Sequence, residues 1–305
     1  MSRPQQIASL TMAIIILCYT LAWADCQRIY EQARDAFQQG DLAQLKTLYM
    51  QASNDASCDE QFRAVLGQHV AVISITTVME GLKRGGDVDT LEGLLRDSLR
   101  YARLWQALAV LGDMYRDRKN YGSAAKYYQD ALDIINDAST TPHAPDAQII
   151  KSLFHKAEVS RLLADDYIPL PVRSTGRLAG TAALGFRGFV PKQRALPITF
   201  EFDSASFDRK GRQVATELFH MLQQQRPSAI TLIGHTDERG SAEYNKSLSL
   251  RRAAAVKTYL LGQGYQGHIR VDGRGEEAPY VPDDRSKYTQ EEFYRLCRRV
   301  ELRFE

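Results

Sequence analysis

The sequence predicts an α+β protein: an all-α N-terminal region, a basic Pro/Gly connector, and a C-terminal mixed β-sheet with helices packed on it. Three observations predict it. From Cys26 to about Asp165, apolar residues recur at helical spacing, with short breaks at Gly40-Asp41, Gly85-Gly86-Asp87 and Asn120-Tyr121-Gly122. Between Tyr167 and Pro197 the period stops, and Pro169, Pro171, Gly176, Gly180, Gly185, Gly188 and Pro191 punctuate the chain. From Leu196 onward strand and helix signals alternate, which is the pattern of a sheet covered by helices. The expected divisions are residues 1–24, 25–166, 167–195 and 196–305.

Composition sets limits on partners. The chain has 305 residues, long enough for two domains, and 39 basic against 37 acidic residues leave a net charge of +2. No global field would gather nucleic acid or hold the protein on an anionic membrane, so neither is an expected partner.

The first residues read as a targeting segment. Arg3 precedes an apolar run from Ile7 to Trp23, and Ala22-Trp23-Ala24 has the form of a secretory cleavage site. Cleavage before Asp25 is the expectation, and an uncleaved anchor of about 17 residues is the alternative. Lipoprotein processing wants a small residue before its cysteine, whereas Leu17 precedes Cys18 and Asp25 precedes Cys26, so no lipid anchor is expected. The mature chain is expected in the periplasm, soluble, without a second membrane segment.

Export leaves Cys26, Cys58 and Cys297 where disulfides are permitted. Cys26 and Cys58 both sit near the starts of predicted helices, and repeat helices of one type run parallel. A bridge between them is therefore expected; the alternative is two small buried apolar residues. Cys297, just before the last strand, is expected to pack in the core.

Within the helical region, Trp105 to Asn136 places Trp105, Leu108, Leu111, Gly112, Tyr115, Ala124, Tyr128 and Ala131 where a tetratricopeptide repeat places its large and small residues, and the stretch resembles one such repeat. Gly112 and Ala124 let two helices approach, and Leu111, Tyr115 and Tyr128 fill the space beside them. Arg28 to Ala52 has the same helix, turn, helix form, with Ala33, Phe37, Leu42, Leu45 and Leu48 inward, but lacks the signature. Asp59 to Leu99 is another pair, and Asp146 to Asp165 a terminal helix that covers the end of the stack. Such an array offers a concave surface to a periplasmic or outer-membrane protein; the alternative is a plain spacer. The connector carries Arg173, Arg177, Arg187, Lys192 and Arg194 and no acid between Asp166 and Glu201, which reads as solvated charge on a tether that spans up to ~90 Å if fully extended.

In the last third, Leu196 to Phe202 is strand-like, Gly211 to Gln225 an amphipathic helix and Ala229 to Ile233 a second strand. Glu243 to Leu261 is a long helix, Ile269 to Val271 a short strand, Thr289 to Leu296 a helical insertion and Val300 to Phe304 a final strand.

The run Ile233-Gly234-His235-Thr236-Asp237-Glu238-Arg239-Gly240 is followed by Tyr244-Asn245, Leu248-Ser249-Leu250-Arg251-Arg252-Ala253, Gly273-Arg274-Gly275-Glu276 and Arg298-Arg299-Val300-Glu301. In order and spacing these motifs, with the Phe202-Asp203-Ser204 stretch before them, resemble the OmpA-like peptidoglycan-binding family over about Leu196 to Glu305. The resemblance implies a mixed sheet with helices on it and, as ligand, the diaminopimelate-containing peptide stem. It also implies Asp237 and Arg252 as the ligand-binding pair. Their chemistry suits a residue that carries an ammonium beside a carboxylate: Asp237 supplies an anion, and Arg252 planar bidentate donors. Thr236 falls within the same motif; Asp203 is expected to line the pocket, and Asn245 to touch the ligand or tie the loop to the helix. Arg251 and Arg298 are expected to be solvated or paired at the sheet edge. The chain departs from the family at Cys297, where asparagine or aspartate is usual, and in the charged insertion Asp283 to Leu296.

Other motifs are set aside. Gly262-Gln263-Gly264-Tyr265-Gln266-Gly267 spells a dinucleotide fingerprint, but follows a helix and enters a strand, the reverse of what phosphate binding needs. His235 with Asp237 is too small a set for a metal, and no catalytic constellation or cofactor motif is found. The expected protein is a non-enzymatic periplasmic tether that joins peptidoglycan to an envelope partner of its helical repeats; the alternative is a regulator or adaptor of a wall-remodelling enzyme.

Overall fold

A computed structural model describes residues 26–171, 181 and 185–305; the targeting segment, Cys18, Arg173 and Arg177 lie outside the described residues. The described residues form two compact units, divided between Ala107 and Leu108.

The first unit contains α1 (residues 26–39), α2 (Leu42–Asn54), α3 (Glu60–Lys83) and α4 (Val88–Ser98). An aspartate side chain fixes the start of each of the last three: Asp41 accepts from Gln44 N, Asp59 from Phe62 N and Asp87 from Thr90 N. Ile29, Ala33, Leu45, Leu48, Leu66 and Val70 form the core, with Phe37 and Leu42 packed at its edge. Cys26, at the start of α1, is joined to Cys58, two residues before α3, with 5.6 Å between their Cα atoms. By length and composition α3 could cross a bilayer, yet it spends Leu66, Val70 and Ile73 on this core.

The second unit begins within α5 (Trp105–Asp117) and continues with α6 (Tyr121–Asn136) and α7 (Ala147–Leu163). Gly112 is obligatory here, because a Cβ on it would lie 2.5 Å from Cε1 of Tyr128, whose ring is fully buried. The Tyr128 hydroxyl donates to Asp113 Oδ1 at 2.7 Å, and Lys156 Nζ donates to the same oxygen at 2.8 Å, so one carboxylate on α5 ties down α6 and α7.

The same unit holds a four-stranded sheet of β1 (Gln193–Leu196), β2 (Ala229–Gly234), β3 (His268–Gly273) and β4 (Val300–Phe304), in the order β1-β4-β2-β3. β4 runs antiparallel to both β1 and β2, and β2 parallel to β3. The parallel pair needs a crossover, supplied by α9 (Ala242–Gly262); α8 (Arg209–Gln225) precedes β2, and α10 (Gln290–Cys297) precedes β4. Ile198, Leu218, Leu222, Leu232, Val256 and Leu302 are at the centre of the core.

Three expectations are corrected. The opening strand ends at Leu196 instead of running to Phe202, because Pro197 has no N–H to give to the ladder. The connector does not carry only solvated charge. Arg187 donates to the carbonyls of Thr141 and Pro142, and Arg194, 3% exposed, lies over the rings of Phe154 and Phe304. Nor does the chain part there: α7 and the sheet belong to one unit, in which buried Arg161 of α7 donates to Glu217 of α8 at 2.5 Å and Glu217 also accepts from Tyr167 and Leu170 N. Cys297 is buried, as expected, beside Tyr280 and Leu296.

Candidate functional site

The site is built at the end of β2. Gly234 is not a turn residue; a Cβ there would lie 2.0 Å from Ser249 O, so its absence lets α9 press against the strand end. Gly240 does turn the chain, at a φ of +105°. Backbone bonds fix what lies between. His235 N donates to Arg299 O and Thr236 N to Gly275 O, each at 2.9 Å. Asn245, buried on α9, donates through Nδ2 to the carbonyls of Asp237 and Arg239 at 3.3 and 3.1 Å.

That frame aims Asp237, whose side chain is 7% exposed. Its Oδ2 accepts from Arg298 Nη1 at 2.6 Å and from Arg239 Nη2 at 2.7 Å, while Oδ1 accepts from Arg239 N at 3.1 Å. Burial works against the charged carboxylate, but the bonds from Arg239 and Arg298 outweigh it and hold its pKa below the usual range. Of the two partners, Arg298 is 29% exposed and Arg239 56%.

Arg252, on α9, lies over the Phe200 ring and donates from Nε to Ser204 O at 3.0 Å. That is its only hydrogen bond among the described residues, and it forms no ion pair there, so the terminal nitrogens of its fork are open. Burial lowers its pKa, and the charge of Arg298 lowers it further. Arg252 and Arg298 line one cleft of about 320 Å³ with His235, Arg299, Lys210 and Arg295. Leu162, Ala164 and Asp165, at the end of α7, form part of its wall.

The structure thus brings Arg252 and Asp237 to one place, with Arg298 between the acid and the cleft. Asp203 is at the rim, exposed, with a φ of +52°, and accepts from the Tyr244 hydroxyl. Thr236 is buried, and its Oγ1 has no hydrogen-bond partner among the described residues. Asn245 donates to two loop carbonyls and to the Glu276 carboxylate, and so ties the loop to α9. Arg298 is a correction: its ion pair is with Asp237, inside the site. Its place in the Arg298-Arg299-Val300-Glu301 motif was the available signal. Lys210 gave no signal, because only the packing of α7 makes it part of the cleft. Cys297 stays out of the chemistry, its thiol pKa raised by burial.

A cleft rich in arginine beside a shielded carboxylate can hold a carboxylate ligand and, where Arg239 yields its place, a neighbouring ammonium. The OmpA family matches residues 199–292. The peptidoglycan-associated lipoprotein of Rhizobium meliloti (strain 1021) is 34% identical over 125 residues, 40% of this chain and 71% of that protein. That of Agrobacterium fabrum (strain C58) is 38% identical over 95 residues, 30% of this chain and 54% of that protein. Among solved structures, the peptidoglycan-associated lipoprotein from Burkholderia pseudomallei is 26% identical with a TM-score of 0.30, covering 38% of this chain and 91% of that one.

Proposed function

The chain belongs to the OmpA family, and on that premise we propose that it is a non-catalytic periplasmic protein that holds peptidoglycan by the diaminopimelate residue of its peptide stem. The open fork of Arg252 carries this reading: a half-buried guanidinium with no carboxylate partner, facing a cleft, is a receptor for one. The ligand carboxylate lies on Arg252. Its ammonium replaces Arg239, the more exposed of the two arginines on Asp237, while Arg298 keeps the acid ionised. Asp203 and Thr236 border the bound peptide.

Co-sedimentation of the full-length protein with purified sacculi tests this. Arg252→Ala and Asp237→Ala are expected to leave most of the protein in the supernatant while melting as folded proteins. Undiminished pelleting of both variants overturns the reading.

The helices are read as tetratricopeptide-like repeats that offer a surface to a periplasmic or outer-membrane partner, so that the protein tethers that partner to the wall. The Gly112 to Tyr128 contact supports the repeat reading, since it is the close approach of paired helices that the pattern requires. Loss of envelope-protein contacts on deleting residues 26–107 from the exported protein is the expected result, and their retention counts against it.

A further inference from the structure

The cleft holds more positive charge than the protein itself balances. Arg298 is paired with Asp237 and Glu291, Arg295 with Asp165, and Arg299 with Glu301. Two cations have no such partner among the described residues. One is Arg252. The other is Lys210, in the first turn of α8, whose Nζ donates only to the carbonyl of Ala164 at the end of α7. Burial lowers its ammonium pKa to about 8, and the charges of Arg295 and Arg161 act in the same direction.

The acids near Lys210 are committed elsewhere. Asp208 caps α8 through Gly211 N at 2.7 Å and accepts from Thr199 at 2.6 Å, and Asp165, 92% exposed, faces Arg295 at 3.0 Å. His235, 3% exposed, also lines the cleft, and its Nε2 lies 3.2 Å from Glu301 Oε2. A half-buried cation without a counter-charge is costly, and a bound anion relieves that cost.

We propose that the cleft has a second anionic subsite at Lys210, so that the bound peptide places one carboxylate on the Arg252 fork and another on the Lys210 ammonium. The inference rests on the wall-binding reading, in which the ligand is a peptide stem with several carboxylates, and it assigns to that stem a second point of recognition. The end of α7 builds the subsite. Ala164 O accepts from the ammonium and positions it, and Leu162 and Ala164 form the apolar wall beside it. These wall residues lie outside residues 199–292, the segment matched by the family, so the helical part of the second unit shapes what the cleft accepts.

Calorimetric titration of the full-length protein with L-alanyl-D-glutamyl-meso-diaminopimelate, and with versions in which each carboxylate in turn is an amide, tests the subsite. Wild type is expected to bind at least one amide about tenfold more weakly than the free acid, and Lys210→Met to abolish that difference while still binding the amide as wild type does. Lys210→Arg, which keeps the charge, is expected to retain the preference, and thermal melting checks that each variant is folded. An unchanged preference in Lys210→Met, or equal binding of every amide by wild type, overturns the second subsite. Binding by Arg252→Ala that equals wild type overturns instead the wall-binding reading, so the two failures are distinct.

Discussion

Asp237 and Arg298, 61 residues apart in the chain, meet at 2.6 Å and join the loop after β2 to the turn between α10 and β4. Each fixes the other. Arg298 keeps the acid charged, and the acid holds Arg298 at the wall of the cleft.

Removing that partner is therefore expected to cost stability as well as binding. In Arg298→Ala, Asp237 keeps Arg239 but loses its less exposed donor, and a loss of about 1–3 kcal/mol in urea unfolding is expected. Wild-type stability in this variant would show that Arg239 alone suffices.

At Arg252 the fork is expected to matter beyond the charge. Arg252→Lys supplies one point donor in place of two parallel ones, and binding of the stem peptide is expected to weaken about tenfold, roughly the 1.5 kcal/mol of one charge-assisted hydrogen bond. Calorimetry that finds equal affinity removes the bidentate contact from the account.

Acid is expected to loosen the second unit through two carboxylates. Burial opposes the charge on Glu292, but bonds from Tyr121, from Thr289 N and from Lys119 outweigh it and lower its pKa from 4.5 to about 2. Asp237 is lowered too. A carboxylate with a depressed folded pKa binds its proton more readily when unfolded, so its contribution is complete above about pH 4.5 and is lost as pH falls towards 2. Denaturation midpoints measured across that window should fall, and Glu292→Gln should flatten part of the slope.

In an exposed helix, replacing glycine by alanine gains up to about 1 kcal/mol. At Gly112 the sign is expected to reverse, with a loss of about 1–3 kcal/mol from overpacking, because the new Cβ would meet the Tyr128 ring at 2.5 Å. Tyr128→Leu in the same chain should recover part of the loss, as thermal melts would show.

The bridge in the first unit closes a loop across a sequence separation of 32, for which chain entropy gives about 3–4 kcal/mol. Mass spectrometry without reductant is expected to find Cys26 and Cys58 joined and Cys297 free, and Cys26→Ser with Cys58→Ser to melt earlier. Two free thiols in the exported protein would contradict the structure here.

Helix positions were legible because amphipathic spacing and aspartate caps are local: Asp41, Asp59 and Asp87 announce α2, α3 and α4 without reference to anything distant. The loop of Asp237 and the helix of Arg252 were legible too, since each motif lies on one continuous stretch. The end of β1 is not legible, because the apolar run continues past Pro197, where the ladder stops for want of a donor. The fate of the connector charge is hidden for a different reason. Nothing near Arg194 in sequence announces the two aromatic rings on which it lies, one from α7 and one from β4.

By itself the sequence determined which segments become helix or strand and which loop carries the acid, because those depend on neighbours a few residues away. The tertiary structure decided how the charges are shared: that Arg298 and not Arg252 takes Asp237, that Asn245 serves the loop, and that the end of α7 reaches Lys210. Such pairings follow from distances of a few ångströms between residues far apart in the chain, where a shift smaller than one side chain changes which cation an acid neutralises.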